Sequence, residues 1–328
     1  MANFELSRAA AEDLLTAAVR APSSHNTQPW RFRLRGDGIE LRADRSRALP
    51  VNDPGDRELT ISCGCALLNL RVAAAAAGLA ARIEAFPVAD DADLLARVTL
   101  SAPAAQQGPA DDRQPLAALH EAVAARRTVR QRFADTPLDG PTLLALVAAA
   151  REEGAVLHLL ERDEQRHAAA ALVAEGDTAQ WADPGWRREL ADWMHPRRRG
   201  DGLALPGLAV PLAQAVVRSF DMGQGMGAKD RELADASPLL VVLTTAGDAA
   251  PDWLVAGQAL QRALLAGVGK GLQASYLNQP VQVAALRPRL EALLGRPGHA
   301  QLLLRFGVPV AKVQAAPRRA LAEVIEVR

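Results

Sequence analysis

Residues 61–87, ISCGCALLNLRVAAAAAGLAARIEAFP, align without a gap on residues 254–280, LVAGQALQRALLAGVGKGLQASYLNQP, at an offset of 193. Gly64 meets Gly257, Ala66 meets Ala259, Leu67 meets Leu260, Ala73 meets Ala266, Gly78 meets Gly271, Leu79 meets Leu272 and Pro87 meets Pro280. Alanine-rich helices resemble one another easily, but here the glycines and prolines that punctuate structure coincide as well. Each copy reads as an apolar helix, a Gly-Leu stop and an extended exit to proline. The repeat predicts a duplicated chain whose halves pack as an intrachain pseudo-dimer, with small residues letting the two helices approach closely.

The rest of the chain fits a globular protein built this way. Its 328 residues are 49% apolar, enough for a sizeable core. Lys plus Arg and Asp plus Glu both number 38, so net charge favours neither nucleic acid nor an acidic tail. The amino terminus, MANFELSRAAAEDLL, has no basic-then-apolar leader, and short apolar runs such as LLVVL at 239–243 are not membrane spans. These features predict a cytoplasmic protein with no membrane or nucleic-acid partner. Cys63 and Cys65, with six scattered histidines, form no metal-ligand set, so no metal is expected.

Periodicity predicts a helix over 8–20, a β-hairpin from Trp30 through Leu41, a long buried helix over 56–78 and a strand at 97–100. Residues 101–115, SAPAAQQGPADDRQP, have no apolar period and read as a linker. The division is a first half at 1–100, a linker at 101–116 and a second half at 117–328. The second half opens with a helix ending in RRTVRQRF and continues with a helix at 141–152, strands at 155–160, 238–245 and 301–307, and a helix at about 252–270. Residues 176–232, rich in Gly and Pro, read as irregular and as a candidate lid. Helices and strands alternate without a strict βαβ order, which predicts an α+β fold with mostly antiparallel sheets.

The two halves differ where chemistry would sit. APSSHNTQPW at 21–30 is a polar, proline-bracketed loop, whereas the second half has only the plain REEGAVLHL at the matching place. Conversely, RRTVR at 126–130 has no counterpart before the first helix of the first half. Guanidinium groups offer planar, bidentate donors to a phosphate and a threonine hydroxyl adds another. Arg318 and Arg319 near the carboxyl terminus could close the same anion site. Other short motifs are weaker: GVGKG at 267–271 lacks P-loop spacing and reads as the end of the repeated helix, and RGD at 199–201 reads as a solvated turn. Cys63 and Cys65 read as small core residues.

Together APSSHNTQPWRF, RRTVR, GLQASYLNQP and the closing LLLRFGVP and PRRALAEVIEV resemble the FMN-dependent nitroreductase family, in its Acg-type branch of fused two-half proteins, over nearly the whole chain. The resemblance implies a nitroreductase-like fold with FMN between the halves, one site per chain, in a monomeric pseudo-dimer that could dimerise further. It implies cofactor-binding roles for Arg126, Arg127, Thr128 and Arg130, for Ser23, Ser24 and Asn26 of the loop, and for Arg318 and Arg319. Asn278 and Gln279 fall where the family often has Glu-Gly beside the flavin N5, a departure from its pattern. Catalysis would then be driven by the cofactor, with NAD(P)H giving hydride through FMN to a nitroaromatic, quinone or similar small acceptor. The alternative within the same fold is a protein that sequesters FMN with little turnover. A helical scaffold without cofactor would leave the loop and both arginine pairs unexplained.

Overall fold

The computed structural model describes residues 6–102 and 113–326; residues 103–112, most of the expected linker, lie outside the described residues. The first half runs α1 (Arg8–Ala18), β1 (Trp30–Arg35), β2 (Gly38–Ala43), α2 (Arg57–Ala76), β3 (Ala80–Ala85) and β4 (Leu94–Ser101). Ser7 caps α1 by accepting the Ala10 amide, and Trp30, Phe32, Ile39 and Leu41 bury one face of the hairpin completely. After the linker come α3 (Arg113–Ala117), α4 (His120–Ala125), α5 (Gly140–Glu152) and β5 (Val156–Leu159). An insert follows: α6 (Asp163–Ala182), α7 (Pro184–Asp192), β6 (Met194–Pro196), β7 (Leu203–Leu205), α8 (Val210–Ser219) and α9 (Gly223–Asp235). The second half then resumes with β8 (Leu239–Thr245), α10 (Ala250–Val268), β9 (Gln273–Tyr276), α11 (Gln279–Gln282), α12 (Arg287–Leu294) and β10 (His299–Gly307), and the chain closes with α13 (Leu321–Val324) and β11 (Ile325–Glu326).

Two sheets carry the same antiparallel wiring. The order β1-β2-β4-β3 in one corresponds to β5-β8-β10-β9 in the other, with α2 and α10 in matching places. The α+β fold and its tandem pseudo-dimer are therefore as the repeat requires. β11 breaks the symmetry, because the carboxyl-terminal arm crosses over to pair in parallel with β1. Both sheets share one apolar core in which α2 and α10 lie centrally.

The matched residues of the repeat do matched work. Gly78 and Gly271 both adopt left-handed φ, 73° and 76°, where a side chain is disfavoured. Leu79 N–H bonds Ala74 O and Leu272 N–H bonds Gly267 O, both at 2.9 Å, so each helix ends in the same six-to-one cap. The helices cross where Gly64 meets Gly257. A Cβ on Gly257 would stand 2.0 Å from the Ile61 carbonyl oxygen, and one on Gly64 would stand 2.4 Å from that of Leu254. α2 is the one helix among the described residues long and apolar enough to cross a membrane, and its apolar length is enclosed by protein instead.

Two expectations are corrected. Residues 176–232 are mostly helical rather than irregular, because their glycines and prolines start helices or let them touch. Pro184 sits in the first turn of α7 under an Asp183 cap, while a Cβ on Gly227 would lie 2.8 Å from the Ala174 carbonyl oxygen of α6. Likewise Arg126–Arg130 does not end a helix. α4 stops at Ala125, and the arginine segment runs extended beside β9, with Thr128 bridging Ala274 and Val129 N–H bonding the Ala274 carbonyl at 2.9 Å.

Candidate functional site

A cavity of about 710 Å³ lies between the halves, within the usual range for small-molecule sites. The polar loop forms one wall. His25, Asn26 and Gln28 hold φ of 50°, 56° and 53°, a left-handed run that costs non-glycine residues on the order of 1 kcal/mol each. Such strain persists only where the surroundings over-determine it. Here the Ser23 hydroxyl accepts the Gln28 amide at 3.0 Å, and Asn26 Nδ2 donates to the carbonyls of Pro317 (3.2 Å) and Gly202 (3.4 Å). Arg318 donates to Asn26 Oδ1 at 3.1 Å, and Gln28 Nε2 donates to Gly200 O at 2.8 Å. Asn26→Ala is expected to destabilise the protein by about 2–3 kcal/mol by losing these bonds from a left-handed position. It should also raise protease cleavage around residues 193–205, read against wild type at equal protease.

The turn at 199–202 is part of this lock. Asp201 is not in a solvated turn: it is buried, bonded to His195 Nδ1 at 2.7 Å and paired with Arg47. A Cβ on Gly202 would meet the Trp193 carbonyl oxygen at 2.4 Å. The insert is thus clamped onto the loop of the first half.

Arginines form the opposite wall. Arg20, Arg126, Arg127, Arg130 and Arg318 line the cavity, and none has a carboxylate within 4 Å among the described residues. Elsewhere arginines of this chain pair readily with acids, as Arg42 does with Asp91 and Arg287 with Asp248. Arg126 donates to Arg20 O at 3.2 Å, its Nε is buried without a partner, and burial holds its pKa below the ordinary value. Burial, then the charges of Arg126, Arg20 and Arg127, push Arg318 down to about 9. Burial followed by Arg130 lowers His25 to about 4, so its ring is neutral at pH 7. An uncompensated cationic cluster of this kind suits an anion with several acceptor oxygens.

All the expected site residues but one line this cavity: Ser23, Ser24, Asn26, Arg126, Arg127, Thr128, Arg130, Asn278, Gln279 and Arg318. Arg319 does not. It bonds Gln28 O at 3.2 Å and lies near Asp44 and Glu323, fastening the carboxyl-terminal arm to the base of the loop. Glu58, Tyr276, Asp177 and Asp230 also line the cavity and escaped the sequence reading. Glu58, buried in the first turn of α2, accepts the Ser24 hydroxyl, Gln282 Nε2 at 2.8 Å and Asn278 Nδ2 at 3.4 Å. Its signal was an acid at the head of an otherwise apolar helix. Tyr276 Oη is buried without a partner on the cavity wall, and burial raises its pKa. Asp177 lay inside the segment read as irregular, where no helix face could be assigned.

Asp177 and Asp230 both accept from Gln279 Nε2, at 3.1 and 3.0 Å. Burial, then the charge of Asp230, raises Asp177 to about 7; burial also raises Asp230. An unfolded aspartate titrates near 3.9, so the folded chain binds the extra proton between about pH 4 and 7 and loses stability as pH rises through that window. Asp177→Asn is therefore expected to match wild type below about pH 4 and to exceed it above pH 7 by up to about 4 kcal/mol, measured by denaturant midpoints across pH.

No family model matches the chain. Two Mycobacterium tuberculosis proteins are similar along almost their whole length. "Putative NAD(P)H nitroreductase Rv3131" is 32% identical over 322 residues, covering 95% of this chain and 90% of that one. "Putative NAD(P)H nitroreductase acg" is 30% identical over 320 residues, covering 95% and 93%. Among solved structures, an FMN and NADPH-dependent nitroreductase NfnB from a Sphigopyxis strain is 21% identical with a TM-score of 0.42, covering 64% of this chain and 98% of its own.

Proposed function

The chain belongs to the nitroreductase family, and from that membership we propose that it is an FMN-dependent NAD(P)H oxidoreductase holding one flavin per chain between its halves. The observation that carries this reading is the set of cavity arginines with no carboxylate partner among the described residues. The donor set fits FMN: a multiply charged phosphate would satisfy Arg126, Arg130 and the Thr128 hydroxyl, and the orphaned Arg126 Nε and Tyr276 Oη supply further donors to a polar ring edge. Ser23, Ser24 and Asn26 would face the cofactor from the other half. Bound FMN supplies the hydride chemistry and gathers negative charge on reduction. This chain's own work is to hold and orient it, and the arginine wall favours the reduced form electrostatically. The acceptor is a small nitroaromatic, quinone or similar molecule, and the setting is the cytoplasm with a single chain as the working unit.

Asn278 and Gln279 would lie along the flavin with their amides already committed, Asn278 to Glu58 and the Leu303 amide, Gln279 to Asp177 and Asp230. One specific observation favours sequestration as the second reading: the insert lines the cavity and is clamped to the loop through Asp201, Gly202 and Gly200. Purified protein should be yellow with one FMN per chain, and mixing with NADPH in a stopped-flow instrument should bleach it rapidly. Bound but inert flavin would favour sequestration. A colourless protein that takes up no flavin on titration would end both readings.

A further inference from the structure

Where the insert lines the cavity it forms an apolar chamber. Trp181 and Trp186 meet edge to face with centroids 5.5 Å apart, joined by Leu190, Val217, Met222 and Met226. Among the described residues, the acidic side chains that the insert brings to it are Asp177 on α6 and Asp230 on α9. Close packing puts them there: a Cβ on Gly176 would lie 2.6 Å from Gln279 Cβ, so α6 touches α11 and delivers Asp177 to the Gln279 amide. Asp177 is 4% exposed, lines the cavity, and its Oδ2 has no hydrogen-bond partner among the described residues. Neither acid has a cation within 4 Å among the described residues.

We propose that Asp177, paired with Asp230 through Gln279, is the proton donor to the oxygen of a planar quinone-type acceptor held in this chamber. The proposal rests on the flavin oxidoreductase reading. Asp177 is buried and Asp230 half-buried, and two such carboxylates that share one amide cannot both ionise readily, so at neutral pH the pair retains a proton, and the partnerless Oδ2 is the atom free to present it. Burial and the neighbouring Asp230 hold Asp177 near pH 7, where a general acid is both protonated and willing to give its proton up. The other charged or polar groups lining the cavity around the pair are Lys229 on α9, Gln282 on α11, Arg305 on β10 and Glu58 across the cavity, and of these Lys229 and Arg305 act on Asp230. Arg305 donates to the Val129 and Gln131 carbonyls. At Asp230 burial raises the pKa against the Gln279 hydrogen bond and the charges of Lys229 and Arg305, which pull it down.

The step balances. The quinone takes a hydride, two electrons and one hydrogen nucleus, from the reduced flavin, which is thereby oxidised. The Asp177 O–H bond breaks and an O–H bond forms on the acceptor, giving hydroquinone and leaving a carboxylate. A proton from solvent then restores the acid.

The test compares a water-soluble benzoquinone with ferricyanide, which accepts an electron and no proton, as oxidants of the pre-reduced holoprotein. The quinone rate in wild type should fall as pH rises through about 7, and Asp177→Asn should lower it at least 10-fold and flatten the profile, while ferricyanide shows neither effect. Infrared spectra of the flavin-free protein provide a second readout: a carboxylic-acid carbonyl band present at pH 6 should be absent in Asp177→Asn. In Asp230→Asn, which also serves if the first variant fails to fold, its titration midpoint should move down. A flat wild-type quinone profile, equal loss with both oxidants, or no such band at pH 6 would overturn the proposal. Failure to bind flavin would instead overturn the functional reading, and the infrared result would still stand.

Discussion

Alanine at both Arg126 and Arg130 should weaken FMN binding about 1,000-fold, measured by quenching of flavin fluorescence on titration into flavin-free protein. Each guanidinium removes a charge-assisted contact of about 2 kcal/mol, and the two together correspond to about three decades in affinity. The single variants separate binding from folding. Arg126 is buried and donates to the Arg20 carbonyl, so its loss also disturbs the end of α1 and the start of the polar loop. Arg130 lines the cavity with no hydrogen-bond or ion-pair partner among the described residues, and it is exposed. Arg130→Ala should therefore keep the wild-type denaturation midpoint while losing at least 10-fold in affinity, with a weaker dependence of binding on salt. Unchanged FMN affinity in Arg130→Ala would remove the arginine wall from the binding site.

The second large effect concerns the helix crossing. Gly257→Ala should destabilise the protein by about 3 kcal/mol, although alanine in a helix interior ordinarily gains about 1 kcal/mol over glycine. The new methyl would press on the Ile61 carbonyl and on Gly64 Cα at 2.8 Å, and both are backbone atoms of α2 that cannot swing aside. The helices must separate instead, and the shared core loses packing along both. Gly225→Ala in α9 is the control. Nothing lies within 4 Å of its Cβ position, so it should stabilise by about 0.5–1 kcal/mol. Gly64→Ala should resemble Gly257→Ala, and the double variant should cost less than the sum because one contact is lost in both. A urea midpoint for Gly257→Ala at or above that of wild type would contradict this account of the crossing.

What could be read from the chain divides along a physical line. The repeated helix, its Gly-Leu stop and the hairpin were legible because each is set by neighbours in sequence: an apolar period, a left-handed cap and an alternating strand. The loop Ser23–Asn26 and the segment Arg126–Arg130 were legible as unusual polar clusters. Their conformations were not. The arginine segment is extended because β9 offers it a distant backbone partner, the Ala274 carbonyl, which accepts the Val129 amide at 2.9 Å, while the Gln273 side chain accepts the Arg127 amide at 2.6 Å. Residues 176–232 were misread because glycine breaks isolated helices, yet Gly223 and Gly227 let α9 lie against α6, and that packing outweighs their poor propensity.

By itself, then, the sequence determined the duplication, the α+β architecture and the inequality of the halves, since local pattern encodes each of these. Tertiary structure alone decided which arginines face the cavity and that Arg319 does not, that Asp201 is buried, and that Glu58, Tyr276 and the Asp177–Asp230 pair belong to the site. Those outcomes depend on contacts between residues distant along the chain. Burial and shared hydrogen bonds, which determine charge and chemistry there, come into being only when the halves and the insert close on one another.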